Sequence, residues 1–77
     1  MEFEKLRNIV ADILNLDPST IKEDTRFIED LGADSLDLFQ IILAIEDTFE
    51  ITVEDSQFEN IKTIGSAVEE IKKSIHG

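Results

Sequence analysis

The chain has no cysteine, and its one histidine, His76, stands next to the last residue. Without cysteine there can be no disulfide and no thiolate metal site, so any thiol chemistry on this protein must use sulfur brought in on a prosthetic group. Without an internal histidine, the usual base for a serine nucleophile is missing. No apolar run is long enough to cross a bilayer, and the chain lacks a basic-then-apolar start of the secretory type. A cytoplasmic protein without membrane insertion is expected. Internal repeats, low-complexity tracts and flanking linkers are also absent. The 77 residues are therefore expected to form one domain, 1–77, around one modest core.

Basic residues are scarce, and their distribution matters more than their number. Eighteen acids stand against seven bases, a net charge of −11. Between Arg26 and Lys62 no base occurs, while ten acids do: Glu29, Asp30, Asp34, Asp37, Glu46, Asp47, Glu50, Glu54, Asp55 and Glu59. A field of one sign over half the chain repels nucleic acid and anionic lipid and attracts basic protein surfaces. No nucleic-acid partner is expected.

Helical periodicity dominates the chain. Phe3, Leu6, Val10, Ile13 and Leu14 recur at helical spacing and predict a first helix over about Phe3 to Leu16, stopped by Asp17-Pro18. The stretch from Asp17 to Asp34 is irregular. Ile21, Phe27, Ile28 and Leu31 are expected to pin it to the core, with one short turn. A second helix is predicted from Asp34 or Ser35 to near Phe49, with Asp34 as N-cap and Asp37 suited to the positive end of the dipole. Ile51-Thr52-Val53 reads as a connector. A short turn of helix over Asp55 to Ile61 should face Phe58 and Ile61 inward. Thr63 should then cap a last helix carrying Ile64, Ala67, Val68, Ile71 and Ile75, with Lys72 and Lys73 complementing its dipole. The fold class is all-α: a small four-helix bundle of three main helices, a short third helix, and a long loop between the first two.

The second helix carries two apolar faces. Leu38, Ile41, Ile42, Ile45 and Phe49 cluster on one side of a helical wheel, and Leu36, Phe39 and Leu43 lie nearly opposite. A bundle helix buries one stripe, so the larger must face the core and the smaller must be partly exposed. Three apolar side chains on one exposed face, rimmed by acids, form a docking surface unless the loop folds over them.

Ser35 sits where the loop meets this helix, in Gly32-Ala33-Asp34-Ser35-Leu36-Asp37. It has no base nearby, and Asp37 stands where a nucleophile elbow requires glycine, so intrinsic catalysis is not expected. An EF-hand reading from Asp30 also fails, since Gly32, Ser35 and Ile41 fall at positions 3, 6 and 12, where the loop needs an oxygen ligand, glycine and glutamate. No metal site is expected. Modification of Ser35 fares better: a phosphodiester on its oxygen would place negative charge at a helix start, where free amides and the dipole favour it. Asp34 and Asp37 oppose that slightly, which gives them a role in meeting a partner. On these residues alone, a plain first-turn serine remains an open alternative.

The motif Gly32 to Asp37, the run Ile41 to Phe49 and the ending Ile61-Lys62-Thr63-Ile64 together resemble the acyl carrier proteins. The likeness extends over nearly the whole chain in length, acidity and helix order. It implies a carrier, freestanding and bacterial in type, whose Ser35 receives 4′-phosphopantetheine from coenzyme A through a phosphopantetheinyl transferase. The arm then holds acyl groups as thioesters for separate enzymes of fatty acid synthesis: synthases, reductases, dehydratases and acyltransferases. By the same resemblance Asp34, Leu36, Asp37, Phe39, Leu43, Glu46 and Asp47 meet basic surfaces of those enzymes, and Ile41, Ile45 and Phe49 line an acyl cavity. A monomer is implied. Gln40 stands where carriers of fatty acid synthesis usually have glutamate. Glu54 replaces a common proline, and Phe58 a smaller residue. The stretch Phe58 to Gly65 is closer to carriers of specialised pathways, polyketide or amino-acid-loading, which are the alternative. A reading from another class, an unmodified acidic adaptor, uses the same helix but does not need Ser35.

Overall fold

Asn15, rather than Pro18, ends the first helix. In the computed structural model, which describes residues 2–76, α1 spans Glu2–Leu14. Asn15 turns into the left-handed region at φ 57°, and the Leu16 amide donates back to the Ala11 carbonyl at 2.8 Å. That bond satisfies a terminal carbonyl and closes the helix two residues short of the expected Leu16. Pro18 instead starts a 3₁₀ turn, Pro18–Thr20, which the Asp17 carboxylate caps by accepting from the Ser19 amide at 2.9 Å.

Three further helices follow: α2 over Ser35–Phe49, α3 over Asp55–Asn60 and α4 over Ile64–His76. Thr63 caps α4 as expected, its hydroxyl accepting from the Ser66 amide at 3.1 Å, while Ser66 Oγ accepts from the Thr63 amide at 2.9 Å. This reciprocal pair satisfies donors that the helix start would otherwise leave without partners. Between α2 and α3, Ile51 to Val53 form an irregular connector. No helix among the described residues is long and apolar enough to cross a membrane.

Helix α1 packs against both α2 and α4, and α3 packs on α4. Leu6 and Val10 of α1, Ile41 and Ile45 of α2, and Ile64, Ala67 and Ile71 of α4 meet in one core. Burying each of the larger side chains contributes about 1.5–3 kcal/mol. The stripe expected to face inward on α2 does so: Leu38, Ile41, Ile42 and Ile45 are buried. Phe49 is half-buried against α1, with the Lys5 ammonium 5.9 Å from its ring centre.

The long segment between α1 and α2 adds Ile21, Phe27 and Ala33 to this core. Main-chain hydrogen bonds stitch it to the α3–α4 connector. Phe27 donates to Lys62 at 3.1 Å, Ile64 to Thr25 at 3.0 Å and Gly65 to Glu23 at 2.7 Å. Arg26 and Thr63 form a single antiparallel bridge at the centre of this stitch. Gly65 is required there, because a Cβ atom would stand 3.0 Å from the Glu23 carbonyl oxygen. Gly32, at φ +70°, returns the chain towards α2 in a conformation that a side chain would strain.

Three expected core residues lie elsewhere. Ile28 is 57% exposed, because the tight turn after Phe27 reverses the chain, and Ala33, bonded to the Phe27 carbonyl, takes the interior position. Phe58 is 37% exposed, since α3 is too short to turn both Phe58 and Ile61 inward, and Ile61 alone is buried. Ile75 lies in the final turn of α4, beyond the reach of the core, and is also exposed.

Candidate functional site

Ser35 is the first residue of α2 and is exposed. Asp34 and Asp37 hold the helix start in a reciprocal cap. Asp34 Oδ1 accepts from the Asp37 amide at 2.9 Å, and Asp37 Oδ2 accepts from the Asp34 amide at 3.3 Å. Such a cap typically contributes about 1 kcal/mol. It also fixes the backbone on either side of Ser35, whose hydroxyl no described hydrogen bond engages.

The outward face of α2 is open. Leu36, Phe39 and Leu43 are 64%, 54% and 48% exposed, so the loop does not fold over them. Asp47 is fully on the surface, whereas Asp37 and Glu46 are half-buried. Glu46 has a second task that sequence reasoning missed. Its carbonyl accepts from the amides of Glu50 and Ile51, and its carboxylate accepts from the Val53 amide at 2.8 Å. One residue thus fastens the turn after α2.

Arg26, the last base before the acidic stretch, is occupied locally. Its guanidinium donates to both oxygens of Asp30, at 3.2 and 3.0 Å, and lies 3.6 Å from Glu29. The side-chain hydrogen bond from Arg26, with the bond from its amide, holds the Asp30 carboxyl below the usual carboxylate range, and Asp30 raises the guanidinium pKa in return. Arg26 therefore neutralises its own turn and leaves the acids of α2 unbalanced.

A cavity of about 410 Å³ opens between the loop, α2 and α3. Phe27, Ile28, Leu38, Phe58 and Ile61 supply its apolar lining, and the charged Arg26, Glu29, Glu59 and Lys62 are all exposed residues at its rim. Its volume lies within the roughly 300–1,000 Å³ of small-ligand pockets. Ile41, Ile45 and Phe49 do not border this opening: Ile41 and Ile45 are buried in the core, and Phe49 packs half-buried near Lys5 of α1. Leu38 is the only α2 residue on the cavity wall. Periodicity could not reveal this space, because its walls come from segments more than thirty residues apart, joined by the Arg26–Thr63 bridge. Two of the three apolar residues whose inward placement failed, Ile28 and Phe58, lie on it.

The residues present suit a phosphodiester-linked arm. Ser35 is exposed at a helix start, where the dipole favours an anion. An apolar cavity opens within one turn of it.

Residues 4–71 match the protein family described as the phosphopantetheine attachment site. Among curated proteins, the chain is 43% identical over 70 residues to the acyl carrier protein of Sulfurovum sp. (strain NBC37-1), covering 91% of this chain and 93% of that one. It is 44% identical to the acyl carrier protein of Clostridium acetobutylicum over 94% of each chain. To that of Onion yellows phytoplasma it is 46% identical, over 96% of this chain and 97% of the relative.

Proposed function

The chain belongs to the acyl carrier protein family, and from that premise we propose that Ser35 is its attachment residue for 4′-phosphopantetheine. When attached, the arm supplies a thiol on which acyl groups are carried as thioesters, the chemistry that a chain without cysteine cannot provide itself. The observation that carries the proposal is the exposed Ser35 at the capped start of α2, one turn from an apolar cavity and beside an outward apolar face.

Each neighbour then has a task. Asp34 and Asp37 hold the helix start and orient Ser35 towards a phosphopantetheinyl transferase. Leu36, Phe39 and Leu43 give the partner enzymes an apolar contact, and Asp37, Glu46 and Asp47 steer their basic surfaces to it. The cavity beside Leu38 shelters the apolar tail of the cargo, and the buried Ile41 and Ile45 with the half-buried Phe49 are the lining for a tail that reaches deeper between the helices. The protein itself performs no catalysis. It works as a single carrier domain of the cytoplasm and serves fatty acid synthesis.

Incubation with coenzyme A and a broad-specificity phosphopantetheinyl transferase should add one phosphopantetheine mass to the wild-type chain and none to Ser35→Ala. A wild-type chain left unmodified by several transferases would overturn the attachment role and leave the acidic adaptor in its place.

A further inference from the structure

Resting on that reading of Ser35, we propose that Phe58 sets the length of acyl chain that this carrier shelters, by bounding the cavity between the loop and α3. The occupant is the carrier's own cargo, a saturated straight-chain acyl tail. Leu38, on the cavity wall, is three residues along α2 from Ser35, a rise of about 4.5 Å. A tail folding back from the attachment point along α2 reaches this cavity at Leu38. The lining of Phe27, Ile28, Leu38, Phe58 and Ile61 offers the tail only hydrocarbon contact.

The walls are not equivalent. Phe27 is 1% exposed and belongs to the core, and its backbone is bonded to Lys62. Leu38 is buried on α2, and Ile61 is buried just after α3. Phe58 alone is a large side chain that lines the cavity from a helix none of whose residues is buried. Its ring limits the space while contributing little to the core. The helix that carries it is held in place by its neighbour, since Gln57 Nε2 donates to Ser74 Oγ of α4 at 3.0 Å. This bond joins side chains 17 positions apart and anchors the helix that carries Phe58. A smaller residue at position 58 would lengthen the cavity along the direction in which a tail grows.

The test uses the full chain loaded on Ser35 from a series of acyl-coenzyme A donors, butyryl to dodecanoyl, with loading confirmed by mass and thermal midpoints read against the arm-only form. In the wild type the midpoint should rise by about 3–6 °C for each sheltered methylene and then stop rising at a particular chain length. In Phe58→Ala the rise should continue to longer chains, and in Phe58→Trp it should stop sooner. Phe58→Leu, which keeps an apolar side chain, should fall between Ala and the wild type, and it carries the test if Phe58→Ala does not fold. A merely structural role would lower every midpoint equally and leave the stopping length where it was, and that result would overturn the proposal. No rise at any length, on protein shown by mass to be loaded, would overturn both the proposal and the cavity's part in cargo shelter while leaving Ser35 as the attachment residue. Failure of loading would instead remove the reading on which the proposal rests.

Discussion

Between α1 and α2 the backbone is almost wholly irregular, yet it buries Ile21, Phe27 and Ala33 and exchanges main-chain hydrogen bonds with the α3–α4 connector. Helix α3 is regular through all six of its residues and buries none of them. A helix satisfies its own amides and carbonyls, but that does nothing to hold it against the rest of the molecule. Attachment comes from side chains removed from water and from bonds that reach other segments. Helix α3 has one side-chain bond to another segment, Gln57 to Ser74, and no buried residue, so the loop is the firmer wall of the cavity and α3 the more compliant one.

The contrast is sharpest at two phenylalanines. Phe27→Ala should cost about 3–5 kcal/mol, the usual range for emptying a packed aromatic site, whereas Phe58→Ala should cost no more than about 1 kcal/mol. Urea denaturation of both variants measures the difference, and comparable losses would break the comparison. Hydrogen exchange on the wild type should agree: the amides of Phe27, Ala33 and Ile64 should exchange only on near-global unfolding, and those of α3 through local opening.

Gly65→Ala should come next, at about 1–3 kcal/mol, because the new methyl meets backbone rather than a flexible side chain. Its denaturation midpoint should fall with little change in helical circular dichroism, and a neutral result would show that the stitch between Glu23 and Gly65 can relax. Asp34→Ala removes the cap of α2 and should cost about 1 kcal/mol in the same assay. It should also slow modification of Ser35, since the helix start would then fray.

The smallest effect should be that of Asp30, whose partner Arg26 is exposed. Its folded-state pKa is lowered by Arg26, so the stability it contributes is complete above the unfolded carboxylate value of about 3.9 and is lost as pH falls through the folded value. The gap between wild type and Asp30→Asn should therefore hold constant near neutrality and shrink below about pH 4. A gap unchanged at low pH would show that the Arg26–Asp30 pair does not help to hold the loop.

Periodicity carries local information well. It separates the two faces of α2, and Leu36, Phe39 and Leu43 are indeed exposed while Leu38, Ile41, Ile42 and Ile45 are buried. Cap chemistry at Asp34 and Thr63 was legible because it depends on residues three positions apart. The early stop at Asn15 was hidden by the stronger signal of Pro18. The cavity that Ile28 and Phe58 line depends on segments brought together by the bridge between Arg26 and Thr63. No window on one segment can contain that pairing. The double use of Glu46 was hidden for the same reason, since its carboxylate serves an amide seven residues away.

That double use bears on how the acidic face of α2 can be altered. Asp47 stands free on the surface, so reversing its charge would retune attraction to a basic partner and little else. Reversing Glu46 would remove the acceptor of the Val53 amide and loosen the turn that leads into α3. A drift in partner preference can pass through Asp47 alone. Through Glu46 it needs a second change in the connector, so the two acids, adjacent in sequence and equal in charge, are unequal in their freedom to evolve.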